Sequence, residues 1–244
     1  MKPIDVFPGS SRIVEGEVPS ASLLLIGPSG IGKTIFCKQF LYNGFVINEP
    51  SIYIATDESP EGIGKSMKSL GFDIEEYKDS GKFRIVDCYS WKLGGKSSSE
   101  YVVSNPADLT TVAIAVEKAR QGLKKSRLVL DSITGLTSIC NHNVTLFSKF
   151  VQILNAKTRL IDADAIFTVA PEAHDQHFLS YLRTMFDGIL EMKGDYSGKE
   201  VKRLLRIFSF KGTKHKTNWT PFEITNHGII MKSETELRSQ RVQS

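Results

Sequence analysis

Four apolar residues, Leu23-Leu24-Leu25-Ile26, run directly into Gly27-Pro28-Ser29-Gly30-Ile31-Gly32-Lys33-Thr34. The octapeptide fits G-x-x-x-x-G-K-[ST] at every fixed position. It dictates a local fold: a buried strand, a glycine-rich turn and the start of a helix. The residue types suit an anion. Glycines let backbone N–H groups close around a phosphate without Cβ clashes. The positive end of the following helix dipole points at the same group. Lys33 is placed for the β- and γ-phosphates of a nucleotide, and the Thr34 hydroxyl for Mg²⁺. Ile35, Phe36, Phe40, Leu41, Phe45 and Val46 recur near helical spacing. They predict a helix that ends at Asn48-Glu49-Pro50.

The rest of the chain repeats the strand–helix alternation. Ser51–Thr56, Phe83–Cys88, Arg127–Ser132 and Ala165–Val169 read as strands. Helices are expected over 61–70, 106–123, 144–161 and 178–186, the first capped by Ser59 with Pro60 at N1 and stopped by Gly71. Strands joined through helices argue for an α/β fold with a mostly parallel central sheet. The texture then changes. Residues 188–192, 201–210, 221–225 and 228–231 read as antiparallel strands, the last pair closed by Asn226-His227. Residues 1–21 read as a lead-in with a short edge strand at most. Tyr89–Asn105, with Gly94-Gly95-Lys96 and a serine run, reads as a surface loop. Residues 1–232 are expected to form one domain and 233–244 a polar, frayed tail.

Composition narrows the class. No apolar run is long enough to span a bilayer, and the N-terminus lacks the apolar core of a signal peptide. Cys37, Cys88 and Cys140 are odd in number and widely spaced, which reads as reduced thiols in a cytoplasmic protein. Cys140-Asn141-His142 reads as a loop after a strand, because the further ligands a metal site needs are missing. A net charge of +4 is too small to imply a nucleic-acid partner.

Hydrolysis needs more than a phosphate loop. Asp131 ends an apolar strand and fits the second ligand of Mg²⁺. Asp57 and Glu58 end the neighbouring strand. Ligands collect at the carboxyl ends of strands in an open parallel sheet. Two adjacent carboxylates would there oppose each other's ionisation, and one can orient or deprotonate the attacking water. Which one is open, with Glu58 favoured. A third feature is basic: Arg206, then Lys211-Gly212-Thr213-Lys214-His215-Lys216. Such a cation suits phosphoryl transfer, often from a neighbouring subunit.

The order of these parts resembles the KaiC-like branch of the RecA-superfamily ATPases, especially archaeal single-domain proteins. The carrying motifs are Gly27–Thr34, Asp57-Glu58-Ser59-Pro60, Leu128–Thr134, Phe186-Asp187-Gly188-Ile189, and Lys211–His215 with Pro221–Thr225. The resemblance implies a RecA-like core with a C-terminal antiparallel β extension, assembled into a homo-oligomeric ring, usually a hexamer. It implies ATP bound between subunits with Mg²⁺, Asp57 and Glu58 activating water, and Lys211 and His215 approaching the nucleotide. The chain departs from the family pattern at Ser209 and Lys211, which stand where K-x-R-G-T has lysine and arginine. Asp57 replaces a glutamate, and Glu15-Gly16-Glu17-Val18-Pro19 replaces Gly-Gly-[IV]-Pro. Lysine cannot reproduce the bidentate fork of arginine. The expected activity is slow Mg-dependent ATP hydrolysis in a nucleotide-gated regulatory switch whose protein partners the sequence does not name. A scaffold with little hydrolysis, resembling the archaellum regulatory ATPase, and a DNA-binding recombinase paralogue are the alternatives. The carboxylate pair argues against the first, and the meagre basic loop around Lys92 and Lys96 against the second.

Overall fold

The computed structural model describes residues 5–94, 96–140, 143–160, 163–198 and 201–232. Its elements begin with α1 (Ser10–Ile13) and β1 (Val14–Glu15), then β2 (Ser22–Ile26), α2 (Lys33–Val46), β3 (Ser51–Ala55), α3 (Pro60–Ser69), α4 (Glu75–Asp79), β4 (Phe83–Asp87) and β5 (Tyr101–Val102). The second half runs α5 (Leu109–Arg120), β6 (Arg127–Asp131), α6 (Ile133–Ile139), α7 (Val144–Leu160), β7 (Asp164–Val169), α8 (Gln176–Thr184), β8 (Gly188–Asp195), β9 (Lys202–Phe210), β10 (Lys214–His215), β11 (Thr220–Thr225) and β12 (Gly228–Met231).

One ten-stranded sheet has the order β12-β11-β9-β8-β2-β7-β6-β3-β4-β5. From β8 to β5 every pairing is parallel; β9, β11 and β12 extend the other edge antiparallel. Every residue of β2, β3, β6 and β7 is buried. That is why these strands read as unbroken apolar runs: helices cover both faces. Alternation divides them. Leu23, Leu25 and Tyr53 pack with Phe36, Phe40, Leu41 and Phe45 of α2 and Ile63 and Met67 of α3. Leu24, Ile26, Ile52 and Ile54 pack with α5, α7 and α8 through residues such as Val112, Val151 and Leu182.

Local chemistry fixes the junctions. Ser59 accepts from the Gly62 N–H at 3.1 Å with Pro60 at N1, and Gly71 takes φ +72° beyond α3. Asp187 anchors the start of β2, accepting from the Ser22 N–H at 3.0 Å and its hydroxyl at 2.8 Å, and pairs with Arg159 at 2.5 Å. Thr225 pairs Gly228 across the Asn226-His227 turn. All three cysteines are buried and free. No helix among the described residues is long and apolar enough to cross a membrane.

Four expectations are corrected. Gly188–Met192 belongs to β8, which is parallel to β2; only its pairing with β9 is antiparallel. Tyr89–Asn105 is not a plain loop: it holds a 3-10 turn at Ser90–Leu93 and β5, which adds to the sheet edge. Cys140 follows a helix, α6, rather than a loop after a strand; His142 lies outside the described residues, as do residues 233–244. The lead-in carries a helical turn, α1, and β1 pairs with β10 in a separate two-stranded sheet.

Asp164 opens β7 almost fully buried, with the Ala21 N–H as hydrogen-bond donor at 3.1 Å. Burial pushes its carboxyl up to about 6. The folded chain therefore holds this proton more tightly than the unfolded chain. Stability falls as pH rises from about 4 to about 6, by ~3 kcal/mol, and that loss persists above. Asp164→Asn keeps the acceptor and removes the charge. Its Tm is expected to exceed wild type by about 8 °C at neutral pH and to match it near pH 4, by calorimetry.

Candidate active site

The phosphate loop leaves the C-terminal end of β2. Gly30 and Gly32 take φ +76° and +118°, backbone that L side chains rarely adopt. A Cβ at Gly30 would meet open space, whereas one at Gly32 would lie 2.9 Å from Ile224 Cδ1. The loop is thus a backbone concavity walled by β11. Its members differ in what they offer. Pro28 has no N–H, and the Ile31 N–H donates to the Pro28 carbonyl at 3.3 Å while its side chain is buried in the core. Lys33 Nζ donates to the carbonyls of Gly27 at 2.6 Å and Pro28 at 3.0 Å. Burial lowers its pKa, opposed by Asp131, Glu172 and Asp57. The Ser29 N–H donates to Glu172 Oε1 at 2.8 Å, so a carboxylate of the chain itself holds one loop donor.

Loop and strand ends open on one cleft of about 870 Å³. Ser29, Gly30, Gly32, Lys33, Thr34 and Ile35 form one wall; Asp57, Trp91, Lys92, Asp131, Ser132 and Thr134 face them. The register explains the meeting, because β2, β7, β6 and β3 are parallel neighbours whose C-terminal ends align. Asp131 accepts from Tyr53 Oη at 2.8 Å and Thr168 Oγ1 at 2.5 Å, which fixes both carboxylate oxygens. Burial, reinforced by Asp131, pushes the Tyr53 hydroxyl well above the usual tyrosine range, so it stays a donor. Ser132, joined to Asp131 by a cis peptide, caps α6 by accepting from the Gly135 N–H at 2.8 Å and donates to Asp57 Oδ2 at 2.8 Å. Gly135 must be small, since a Cβ there would collide with Asp57 Oδ1 and Thr56 Oγ1.

The adjacent carboxylates part company. Asp57 lines the cleft, and its pKa is raised by burial and secondarily by Asp131, against its Ser132 and Lys92 neighbours. Its like-charged neighbour is therefore Asp131, not Glu58 as the sequence suggests. Glu58 does not line the cleft. It pairs at 2.5 Å with Lys38, a buried lysine of α2, and accepts from Ser66 Oγ at 3.0 Å.

Lys211 and His215 do not line the cleft either. Phe210 pairs with Gly188, which pairs with Leu23 at the start of β2, so Lys211 sits at the end of the sheet opposite the phosphate loop. His215 lies in β10 beside Val14, its Nδ1 2.8 Å from the Thr213 carbonyl. Neither can serve the loop of its own chain in this arrangement. Arg206 is held by Glu191, its Nε and Nη2 both donating to Oε2 at 2.8 and 2.6 Å, while Arg183 donates to Oε1 at 2.8 Å. Sequence reasoning missed Trp91, Ser132, Thr134 and Glu172; their positions just beyond strand ends were the available signal.

The residues present fit Mg²⁺ and nucleotide phosphate. Thr34 and Asp131 offer hard oxygen ligands beside an anion-shaped concavity. Among the described residues no cluster of three His, Cys, Asp or Glu side chains could hold a metal alone. A few protein oxygens completed by phosphate and water is the habit of Mg²⁺.

The family described as "ATPase: KaiC" matches residues 7–236. A UPF0273 protein of Methanocaldococcus jannaschii is 33% identical over 235 residues, 95% of this chain and 96% of the relative. A UPF0273 protein of Thermotoga maritima is 31% identical, covering 92% and 93%. The solved structure of a KaiC-like protein of Pyrococcus horikoshii OT3 superposes with a TM-score of 0.73 at 24% identity, over 95% of this chain and all of that one. This last likeness concerns the fold.

Proposed function

The chain belongs to the KaiC family of ATPases, and on that premise we propose that it binds Mg·ATP in this cleft and hydrolyses it slowly, as a nucleotide-gated regulatory switch. The observation that carries the reading is the convergence of the phosphate loop, Asp57 and Asp131 on one cleft. In this reading the N–H groups of the loop and Lys33 bind the β- and γ-phosphates. Thr34 and Asp131 would hold Mg²⁺, which would supply positive charge to the phosphates. Asp57 orients the attacking water, as the carboxylate that faces the cleft. The water oxygen bonds to the γ-phosphorus, and the bond to the bridging oxygen breaks with its electron pair left on ADP. The water proton passes to Asp57 and then to solvent. Trp91, Ile35 and Ile224 add apolar wall.

The active form in this proposal is a ring, usually of six, in which Lys211 and His215 approach a neighbour's nucleotide. Their place at the end of the sheet away from their own loop supports a role between chains. Ser209 and Lys211 favour a second reading, a nucleotide-binding scaffold with little hydrolysis. The test is phosphate release measured beside light scattering, with and without Mg·ATP. Slow turnover with an ATP-dependent gain in mass supports the switch. Binding and assembly without phosphate release supports the scaffold. No binding of Mg·ATP at about millimolar concentration sinks both.

A further inference from the structure

We propose that Lys92 is a catalytic residue: a cation supplied by the nucleotide's own chain to the terminal phosphate during hydrolysis. The inference rests on the ATPase reading above.

Of the described side chains that line the cleft, two are cations, Lys33 and Lys92. Lys33 comes up from the phosphate loop. Lys92 comes from the opposite wall, out of the Ser90–Leu93 turn that follows β4. That turn is pinned from below. Asp87, fully buried, accepts from the Tyr89 N–H at 2.8 Å, the Ser90 N–H at 3.0 Å and Ser97 Oγ at 2.5 Å. The base of the lysine is therefore preorganised while its head is lightly held. Lys92 Nζ donates to the Thr56 carbonyl at 3.3 Å and lies 4.8 Å from the Tyr89 ring centre. Among the described residues it makes no ion pair, unlike Lys38, which is locked to Glu58.

The Thr56 contact puts the ammonium at the end of β3, next to Asp57. That is the side of the cleft from which water would attack. The bridging oxygen leaves in line on the far side of phosphorus, so an ammonium here meets the γ-oxygens as the water approaches. A cation beside those oxygens lowers the barrier more than it tightens ground-state binding. Leaving a 3.3 Å carbonyl contact and a ring face costs little against a charge-assisted bond to phosphate.

The test compares wild type, Lys92→Met and Lys92→Arg by steady-state phosphate release, ATP binding and nucleotide-free melting. Lys92→Met is expected to lose about ten- to a hundred-fold in kcat, with ATP affinity within about three-fold. Its Tm is expected to hold, and Lys92→Arg to recover most of the rate. Equal losses in binding and Tm would make Lys92 a structural residue and overturn the proposal. So would a kcat within about two-fold of wild type. Subunit mixing separates the two sources of the cation. Lys33→Ala chains have a disabled loop but an intact Lys92. If Lys92 acts within its own chain, mixing them with Lys92→Met chains restores nothing; restored turnover would overturn the assignment. A wild type that binds no ATP overturns the ATPase reading and this inference together. A wild type that turns over normally beside an equally active Lys92→Met overturns this inference alone.

Discussion

Asp57→Asn is expected to lower ATP turnover by about a hundred-fold or more and to leave ATP affinity within about three-fold. Glu58→Gln is expected to do something different. Its main effect is a loss of about 3 kcal/mol of stability, or roughly 8 °C in Tm, with turnover below the melting range within several-fold of wild type. The reasoning is geometric. Asp57 faces the cleft and holds the Ser132 hydroxyl at 2.8 Å. Glu58 faces α2 and neutralises the ammonium of Lys38, whose side chain is 3% exposed. An amide at position 58 leaves that buried cation without its counter-charge, which is the costly half of any buried ion pair. Phosphate release and thermal melting on the two variants decide the matter. A large rate loss in Glu58→Gln with an unchanged Tm would return the hydrolytic role to Glu58.

Arg127→Met is expected to cost about 4 kcal/mol and lower Tm by roughly 12 °C while leaving nucleotide affinity nearly unchanged. Arg127 starts β6 and is 1% exposed. Its guanidinium donates to Glu49 at 2.9 Å, to the Val6 carbonyl at 2.7 Å and to the Phe40 carbonyl at 2.8 Å, and stacks on the Phe40 ring at 4.9 Å. It therefore ties the lead-in segment, α2 and the loop before β3 to one point. Methionine fills some of the volume but leaves Glu49 and two carbonyls without that donor. Because β6 carries Asp131 at its other end, the damage lies a strand's length from the cleft. A Tm drop under about 4 °C would show that the node is replaceable. Glu49→Gln added to Arg127→Met is expected to recover part of the loss, since the carboxylate left with Lys125 alone, at 3.0 Å, is then gone.

Most of the fold was legible where local and global signals coincide. The apolar run into the phosphate loop gave β2 and α2 within two residues, because burial on both faces removes polar alternation from a central parallel strand. Ser59, Pro60 and Gly71 bound α3 as their conformational preferences require. What stayed hidden was what local chemistry does not encode. The four-residue register of β8 with β2 decides that it is parallel, and neither strand's pattern carries that information. Helix α4 buries no side chain, so it has no apolar stripe to announce it. Helix α6 is seven residues long, too short for periodicity, and contains Gly135. β5 is two residues at a sheet edge. At the site, Asp57 and Glu58 were foreseen as a pair, yet consecutive residues leaving a strand point to opposite sides. That rule was enough to expect only one of them in the cleft.

Glu172 gives the phosphate loop a resident rival. Its carboxylate sits on the Ser29 N–H at 2.8 Å, and any phosphate that claims this donor must first evict it. Measured affinity then understates what the loop can do, by the fraction of time the donor stands open. The eviction is also legible elsewhere in the chain. Glu172 belongs to the turn at Pro171–Ala173, and Asp175, two residues beyond it, caps α8. Arrival of an anion is thereby exchanged for release of a tether. The tether so released is the turn that leads, through Asp175, into α8.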